Sequence, residues 1–340
     1  MTKIVVHLNS TLHHFSQLLA GFQFLSDNRK ISLEYKADFG RYPGDVFIAE
    51  VNGSKVFFDL ADNSEIKHDL YKEADFYVKR MLLNTDYTRS EKLIPYGLYF
   101  PVYYRNPELK YLFLKDSSLI KYSLKYWKSI SALLDLKDGI SVNELKNVES
   151  EPAEGEQVIF RARLWDPGNN STSWKKEERI ILNEQRIEIN RALKRQFGSK
   201  FTGGILRNEY SENICPDLVL PGEEYHRKKY FKILKTASIG IVNQGLEGSI
   251  GAKLGEYVAN GLAILTTPVS QYEIPGFEEG KNYLTYKNAA ECIELVNELF
   301  HNVASRKKLQ RNNKEYYATV LHPGKKVQII LDQITGKISV

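Results

Sequence analysis

Apolar residues cluster in short runs over Lys3–Leu8 and Ile31–Tyr35, and between them Leu12, Phe15, Leu18, Leu19, Phe22 and Leu25 recur at helical spacing. The runs predict strands, and the spaced residues predict an amphipathic helix over about Leu12–Ser26. Val46–Val51 and Lys55–Leu60 flank Asn52-Gly53, which reads as a hairpin or equally as two sheet strands joined by a tight turn. Ile66–Glu73 reads as a short helix, Phe76–Val78 as a strand, and Ile94-Pro-Tyr-Gly97 as the end of the region. A helix over Ser118–Leu134 follows. Asp138–Gln157 is rich in Glu, with Gly, Pro and Ser and weak periodicity, which is a linker composition. A domain boundary is therefore expected near residue 150, with the linker near 136–156.

Beyond it the alternation is clearer. Gln157–Arg163, Phe201–Leu206, Leu218–Leu220, Ile239–Val242, Leu262–Thr266 and Tyr283–Tyr286 read as strands. Helical patterns fall at Lys175–Phe197, Glu224–Thr236, Ile250–Ala259, Ala289–His301 and Arg306–Thr319, and Lys325–Ile334 closes the chain. Strands separated by helices predict a parallel, doubly wound sheet, whose ligands sit at the carboxyl ends of the strands. The expected organisation is a first α/β domain over 1–150, a second over 151–320, and a C-terminal helix in 321–340 packing back on the first.

Composition narrows the function. A chain of 340 residues with 42% hydrophobic and 26% charged residues is long enough for two cores and has the balance of a soluble globular protein. No run approaches the roughly 18 apolar residues of a membrane span. The start, MTKIVVHLNST, reads as a first strand rather than a secretory signal, so a cytoplasmic location is expected. The two cysteines, Cys215 and Cys292, lie far apart without CxxC or clustered histidines, and read as reduced thiols rather than a zinc site. A net charge of +5 suits anionic substrates or the inner membrane face and falls short of a nucleic-acid footprint.

The candidate chemistry concentrates between Ser238 and Tyr286. A buried strand runs into a loop bearing Gly245, Gly248 and Gly251, with Ser249 and Ile250 at the start of a helix that carries Lys253 and Glu256. Glycines let backbone N–H groups approach phosphate, and the helix's positive end favours an anion. Glu256 lies on an otherwise small and apolar helix, so its carboxylate needs a partner, such as a sugar diol. Lys253 precedes it by three residues on the same face; an intrahelical ion pair is the plainer alternative.

The stretch Lys253-Leu-Gly-Glu256-Tyr257-Val-Ala259-Asn-Gly261-Leu-Ala-Ile-Leu resembles the K-x-x-E-Y-x-A-x-G-x-P-V-I signature of GT-B nucleotide-sugar glycosyltransferases, group 1-like. The resemblance covers roughly residues 155–320 and is thin before 150. It implies two Rossmann-like doubly wound domains facing across a cleft. It also implies that Glu256 holds the nucleotide ribose, and that the loop and helix start, Gly248, Ser249, Ile250 and Gly251, hold the diphosphate. Many retaining members carry two glutamates with seven residues between them. With Glu256 as the second, Gly248 falls at the first position and Glu247 one earlier. Either the loop is one residue longer and Glu247 meets the sugar hydroxyls, or that role is absent. The family's Arg after the first strand of this domain corresponds in position to Arg161 or Arg163, with Lys175 or Lys176 as its partnering lysine.

From the residues themselves, Arg161 and Arg163 share one strand face, and a guanidinium at a strand's end suits a diphosphate leaving group, against surface ion pairing. Gly203-Gly204 could admit a nucleotide base and Arg207 could reach phosphate. In the first half, Asn9-Ser10-Thr11 precedes His13 and His14, either of which could act as base; Asp59 and Asp62 end a strand and could accept the acceptor's proton or cap the next helix. The phrase ADFYVKR resembles one in bacterial relatives and reads as structural. Lys115, Lys121, Lys125 and Lys128, interleaved with Tyr122, Tyr126 and Trp127, could lie on an anionic membrane.

The expectation is a metal-independent, hexosyltransferase-type enzyme in surface polysaccharide biosynthesis. It would move a sugar from a nucleotide-diphosphate donor to a glycan or lipid-linked glycan acceptor, with no cofactor and no nucleic acid. Arg163, Lys253, Glu247, Asp62 and His14 are its catalytic candidates. Alternatives are a non-catalytic nucleotide-binding subunit of a partner transferase and a GT-B nucleotide-sugar epimerase.

Overall fold

The computed structural model describes residues 1–8, 13–37, 42–43, 45–87, 90–105 and 143–336. The Asn9-Ser10-Thr11 loop, the Ser118–Leu134 helix with its basic and aromatic residues, and the first part of the expected linker lie outside the described residues. The chain divides into two compact units, one of Met1–Val148, Ser270–Pro275 and Tyr317–Val340, the other of Glu149–Val269 and Gly276–Tyr316.

The first unit is built on a six-stranded sheet. Its strands are β1 (Thr2–Leu8), β2 (Ile31–Ala37), β3 (Val46–Val51), β4 (Ser54–Asp59), β5 (Phe76–Lys79) and β6 (Leu93–Pro95), in the order β2-β1-β3-β4-β5-β6. Asn52-Gly53 is a hairpin turn with both residues at positive φ, and β3 runs antiparallel to both β1 and β4 while the other neighbours are parallel. That hairpin inserts one reversed strand into an otherwise parallel sheet. Helix α1 (Ser16–Asp27) crosses from β1 to β2 and buries Leu18, Phe22 and Leu25. Helix α2 (His68–Glu73) joins β4 to β5. Part of the expected linker is ordered structure instead: β8 (Asn143–Glu144) pairs with β7 (Val102–Tyr103), and Leu145–Val148 forms a helical turn that buries Leu145 and Val148.

The second unit carries five parallel strands. They are β9 (Val158–Ala162), β10 (Phe201–Ile205), β11 (Ile239–Val242), β12 (Ala263–Thr266) and β13 (Tyr283–Thr285), in the order β10-β9-β11-β12-β13. All of β9, β11 and β12 is buried, the mark of strands covered on both faces. The chain leaves β9 through the long helix α3 (Ser173–Phe197) to β10, then returns past β9 to β11 through α4 (Arg227–Leu234). Helix α5 (Ala252–Ala259) leads to β12, and α6 (Ala289–His301) and α7 (Val303–Tyr316) follow β13. Winding outward in both directions from β9 puts the topological switch between β9 and β11, where their carboxyl ends diverge. Gly240 of β11 lies beneath the Tyr257 ring, where a Cβ would come within 2.4 Å of it, so α5 rests directly on the sheet.

Two local expectations change. Leu218–Leu220, pinned between Pro216 and Pro221, forms a 3-10 turn and a single bridge from Val219 to Ile205 rather than a strand. Helix α5 starts at Ala252 with Gly251 as N-cap, so Ile250 precedes it, and the Ser249 side chain does not cap it. The last helix, α8 (Pro323–Ile334), belongs to the first unit and packs against α1. Among the described residues no helix is long and apolar enough to cross a membrane.

Candidate functional site

Basic side chains gather at the switch point of the second unit. Arg161 ends β9 and is buried, at 4% exposure. It donates from Nη1 to the Glu224 carbonyl at 2.8 Å and from Nη2 to Glu224 Oε2 at 3.1 Å, and its guanidinium lies 5.3 Å from the Tyr230 ring. Its buried Nε has no hydrogen-bond acceptor among the described residues. Arg163, two residues on, is exposed. The pair thus splits, Arg161 buried within β9 and Arg163 open one residue past its end.

Arg186 carries no motif that marks it in the sequence. It projects from the middle of α3 into the same place and stacks on Trp165 at 4.0 Å. Its fork donates to Asn243 Oδ1 at 3.1 Å, the Arg163 carbonyl at 2.6 Å and the Gln244 carbonyl at 2.7 Å. One guanidinium therefore ties the ends of β9 and β11 to α3. Burial lowers its pKa to about 9, which leaves it charged at neutral pH. The available signal was its spacing, since Leu182, Ile189 and Leu193 on the same helix are buried.

The loop after β11 is also held by α3. Glu247 sits at φ 57°, a left-handed conformation costly for a side-chain-bearing residue. Lys175 reaches Glu247 Oε1 at 2.7 Å, and the Glu247 amide donates to Glu178 Oε1 at 2.6 Å. Lys175 and Glu247 therefore meet each other. The Gly245 amide closes the loop onto the Ser249 carbonyl at 2.7 Å, and the space beside Gly251 is open.

Lys253, in the first turn of α5, is half-buried. Burial first, then the field of Arg186, with Arg163 and Arg161 adding to it and Glu256 opposing, pulls its ammonium down to about 7. Glu256 is buried at 1% exposure. It accepts from Arg227 Nη2 at 2.5 Å and from the Tyr230 hydroxyl at 2.8 Å, so both carboxylate oxygens are engaged. No Lys253–Glu256 ion pair forms. Burial and the Glu256 charge hold the Tyr230 phenol well above its ordinary value. Arg227 and Tyr230 likewise carry no mark in the sequence.

Other candidates resolve differently. Gly203 and Gly204 are closed over by Phe201 and by Leu218 and Leu220, so they serve packing rather than a base, and Arg207 pairs with Glu212 at 2.8 Å. Both cysteines are free and buried, with the Cys292 thiol pushed up to about 12 by burial.

In the first unit, His14 and Asp62 come together, with His14 Nε2 3.8 Å from Asp62 Oδ2. Asp62 also pairs with Arg80, whose guanidinium lies 4.1 Å from the Tyr99 ring, and His14 meets the same ring edge-on at 5.3 Å. Asp59 is neither a base nor a cap. It is fully buried against Lys79 at 3.2 Å and accepts from the Tyr77 hydroxyl at 2.6 Å. The ADFYVKR phrase therefore supplies Lys79 and Arg80 as the partners of Asp59 and Asp62.

Solved structures offer likenesses to set beside this geometry. The C-terminal domain of a glycosyl transferase group 1 family protein (LpcC) from Francisella tularensis aligns at 12% identity and TM-score 0.36, over 50% of this chain and 87% of that one. Anabaena HepE, solved with UDP and glucose, aligns at 10% identity and TM-score 0.41, over 97% of this chain and 99% of its own. The C-terminal CMP-Kdo binding domain of WaaA from Acinetobacter baumannii aligns at 11% and 0.32, over 47% and 88%. No protein-family model and no curated protein matches the chain. The fold described above stands on strand order and register, not on these likenesses.

Proposed function

We propose that the protein is a GT-B glycosyltransferase, of hexosyltransferase type, that moves a sugar from a nucleotide-diphosphate donor to a glycan or lipid-linked glycan acceptor in surface polysaccharide assembly. The observation that carries this reading is the cation cluster at the switch point of the second unit. Arg161, Arg163, Arg186 and Lys253 converge there beside the amino end of α5, with the buried Glu256 one turn beyond Lys253.

In this reading the diphosphate sits against Arg161, Arg163, Lys253 and the first-turn amides of α5, which lack partners within the helix. As the glycosidic bond to the donor breaks, negative charge grows on the departing diphosphate. Cations already fixed in place stabilise that charge without reorganising. Lys253 takes up a proton as the anion arrives, because an adjacent negative charge favours its charged form. The charge supplied by these side chains is what makes a metal ion or other cofactor unnecessary to the proposal. Glu256 is assigned the ribose hydroxyls. His14 and Asp62 of the first unit are assigned the acceptor's proton, the imidazole as base and Asp62 as the group that stabilises its protonated form. Cytoplasmic placement with peripheral contact at the inner membrane face goes with a lipid-linked acceptor.

Thermal unfolding with UDP, GDP, dTDP and CMP tests the donor assignment. A ligand that binds only the folded chain, at a hundred times its dissociation constant, adds about 2.7 kcal/mol. One of these nucleotides should raise the midpoint, and EDTA should leave the shift and the sugar transfer intact. No shift with any of them removes the reading.

A further inference from the structure

Two residues assigned to the donor are already occupied by the protein itself, and by one short segment. Gly222–Tyr225 forms a 3-10 turn that leads into α4. Glu224 from that turn lies on Arg161, offering both its carbonyl and its carboxylate to the guanidinium. Arg227, three residues later, lies on Glu256, and Tyr230 completes the carboxylate's coordination. The segment sets an acid on the basic donor-binding residue and a base on the acidic one. Tyr230 joins the two halves, with the Arg161 and Arg227 guanidiniums 5.3 and 5.2 Å from its ring.

We propose that Gly222–Tyr230 is an internal stand-in for the donor, with Glu224 in the place of a phosphate and Arg227 in the place of the ribose hydroxyls, and that a nucleoside diphosphate displaces both. The inference rests on the donor site proposed above and concerns how that site is kept closed until it is filled. The contacts are not incidental surface pairs, since the Glu224 and Arg227 side chains are 26% and 19% exposed and their partners only 3% and 1%.

The stand-in is also incomplete. Glu224 brings one negative charge, while Arg163, Arg186 and Lys253 have no carboxylate on them among the described residues. A diphosphate brings more than one charge and reaches more of the cluster, so it wins the exchange. Neither the 3-10 turn nor α4 has a side-chain cap at its amino end. A site self-occupied most of the time shows an affinity lowered by the fraction that is open.

Calorimetric titration of the full chain with UDP, GDP, dTDP and inorganic pyrophosphate tests this, using wild type, Glu224→Gln and Arg227→Gln. Glu224→Gln keeps the shape and removes the charge. It should bind pyrophosphate and the accepted nucleoside diphosphate roughly five- to tenfold more tightly than wild type. Arg227→Gln should improve the nucleoside diphosphate relative to pyrophosphate by a similar factor, because only the former carries a ribose.

Hydrogen exchange on the wild type gives a second readout that needs no variant. Amides of Arg227–Leu234 should exchange faster with the nucleoside diphosphate bound, the reverse of ordinary protection. Wild-type binding with Glu224→Gln equal or weaker, or slower exchange in α4 on binding, overturns the stand-in while leaving the donor site. Absence of binding by all three proteins overturns the donor site and the stand-in together.

Discussion

Two buried cation sites, one in each unit, are built in opposite ways. In the first, Lys79 is matched to Asp59 and Arg80 to Asp62, each strand-end base beside an acid from the neighbouring strand end. In the second, Arg186 is as buried as Arg80, at 4% against 3%, yet its partners are two carbonyls and an amide oxygen, which satisfy its N–H groups without cancelling its charge. A matched pair contributes structure and a weak field. A hydrogen-bonded but unneutralised guanidinium keeps its field, which here adds to burial in depressing Lys253. Charge kept in surplus at a strand-end crevice is therefore the better pointer to an anionic ligand than the mere presence of Arg or Lys.

The largest effect should follow from removing the surplus where the ligand meets it. Lys253→Ala should lower sugar transfer by about 10²- to 10³-fold, as loss of one fixed electrostatic stabiliser does, with little change in the unfolding midpoint. Arg163→Ala should behave alike, its side chain being exposed. Full turnover by either variant, in a transfer assay beside circular dichroism, would remove that residue's role.

The matched pair should fail differently. Lys79→Met leaves Asp59 buried with Tyr77, the Ala61 amide and the more distant Lys67 ammonium at 3.8 Å, and should cost about 3 kcal/mol of stability in denaturant unfolding. Nucleotide affinity of the folded fraction should not change. If affinity falls with stability, the division between paired and surplus charge is wrong.

Acidity sharpens the comparison further. The free Lys253 ammonium titrates at about 7, so an anion meets a charged lysine below that pH and a neutral one above it. Affinity for the nucleoside diphosphate should be level in acid and fall up to about tenfold per pH unit above 7, until the raised value in the complex is reached. Calorimetry at pH 8 in buffers of different ionisation enthalpy should show proton uptake, and Lys253→Ala should abolish it.

The sequence makes these differences only partly visible. The parallel strands of the second unit are legible because strands covered on both faces are unbroken apolar runs, as in Ile239–Val242 and Ala263–Thr266. The hairpin at Asn52-Gly53 is legible from its turn chemistry. Lys253 and Glu256 stand out because they interrupt a small, apolar helix. Arg186 does not, since its acceptors arrive from the ends of two strands and a charged helix conceals one more Arg. Its only trace is its place in the Leu182–Ile189–Leu193 stripe. Arg227 is hidden for the same reason, being one base in a run of three at the start of α4. Leu218–Leu220 misleads because its apolar content suits a strand while the flanking Pro216 and Pro221 hold it in a turn.

One residue cuts across the comparison. Lys326 of α8 is a buried base in the first unit, with its ammonium on the Tyr96 carbonyl at 2.5 Å and 4.4 Å from the Tyr96 ring. Among the described residues no carboxylate pairs with it, and burial drops its pKa to about 7. The unfolded chain holds this proton up to the ordinary lysine value of about 10.4. Between those values the unfolded state binds the extra proton, so stability from this group rises with pH by about 1.4 kcal/mol per unit. Below pH 7 its penalty is complete and constant. Lys326→Met removes the penalty but strands the Tyr96 carbonyl, so the net gain in denaturant unfolding at pH 6 should be only about 1 kcal/mol. The gain should shrink and then reverse as pH rises toward 9. A variant less stable at pH 6 would mean that this lysine is held for its charge.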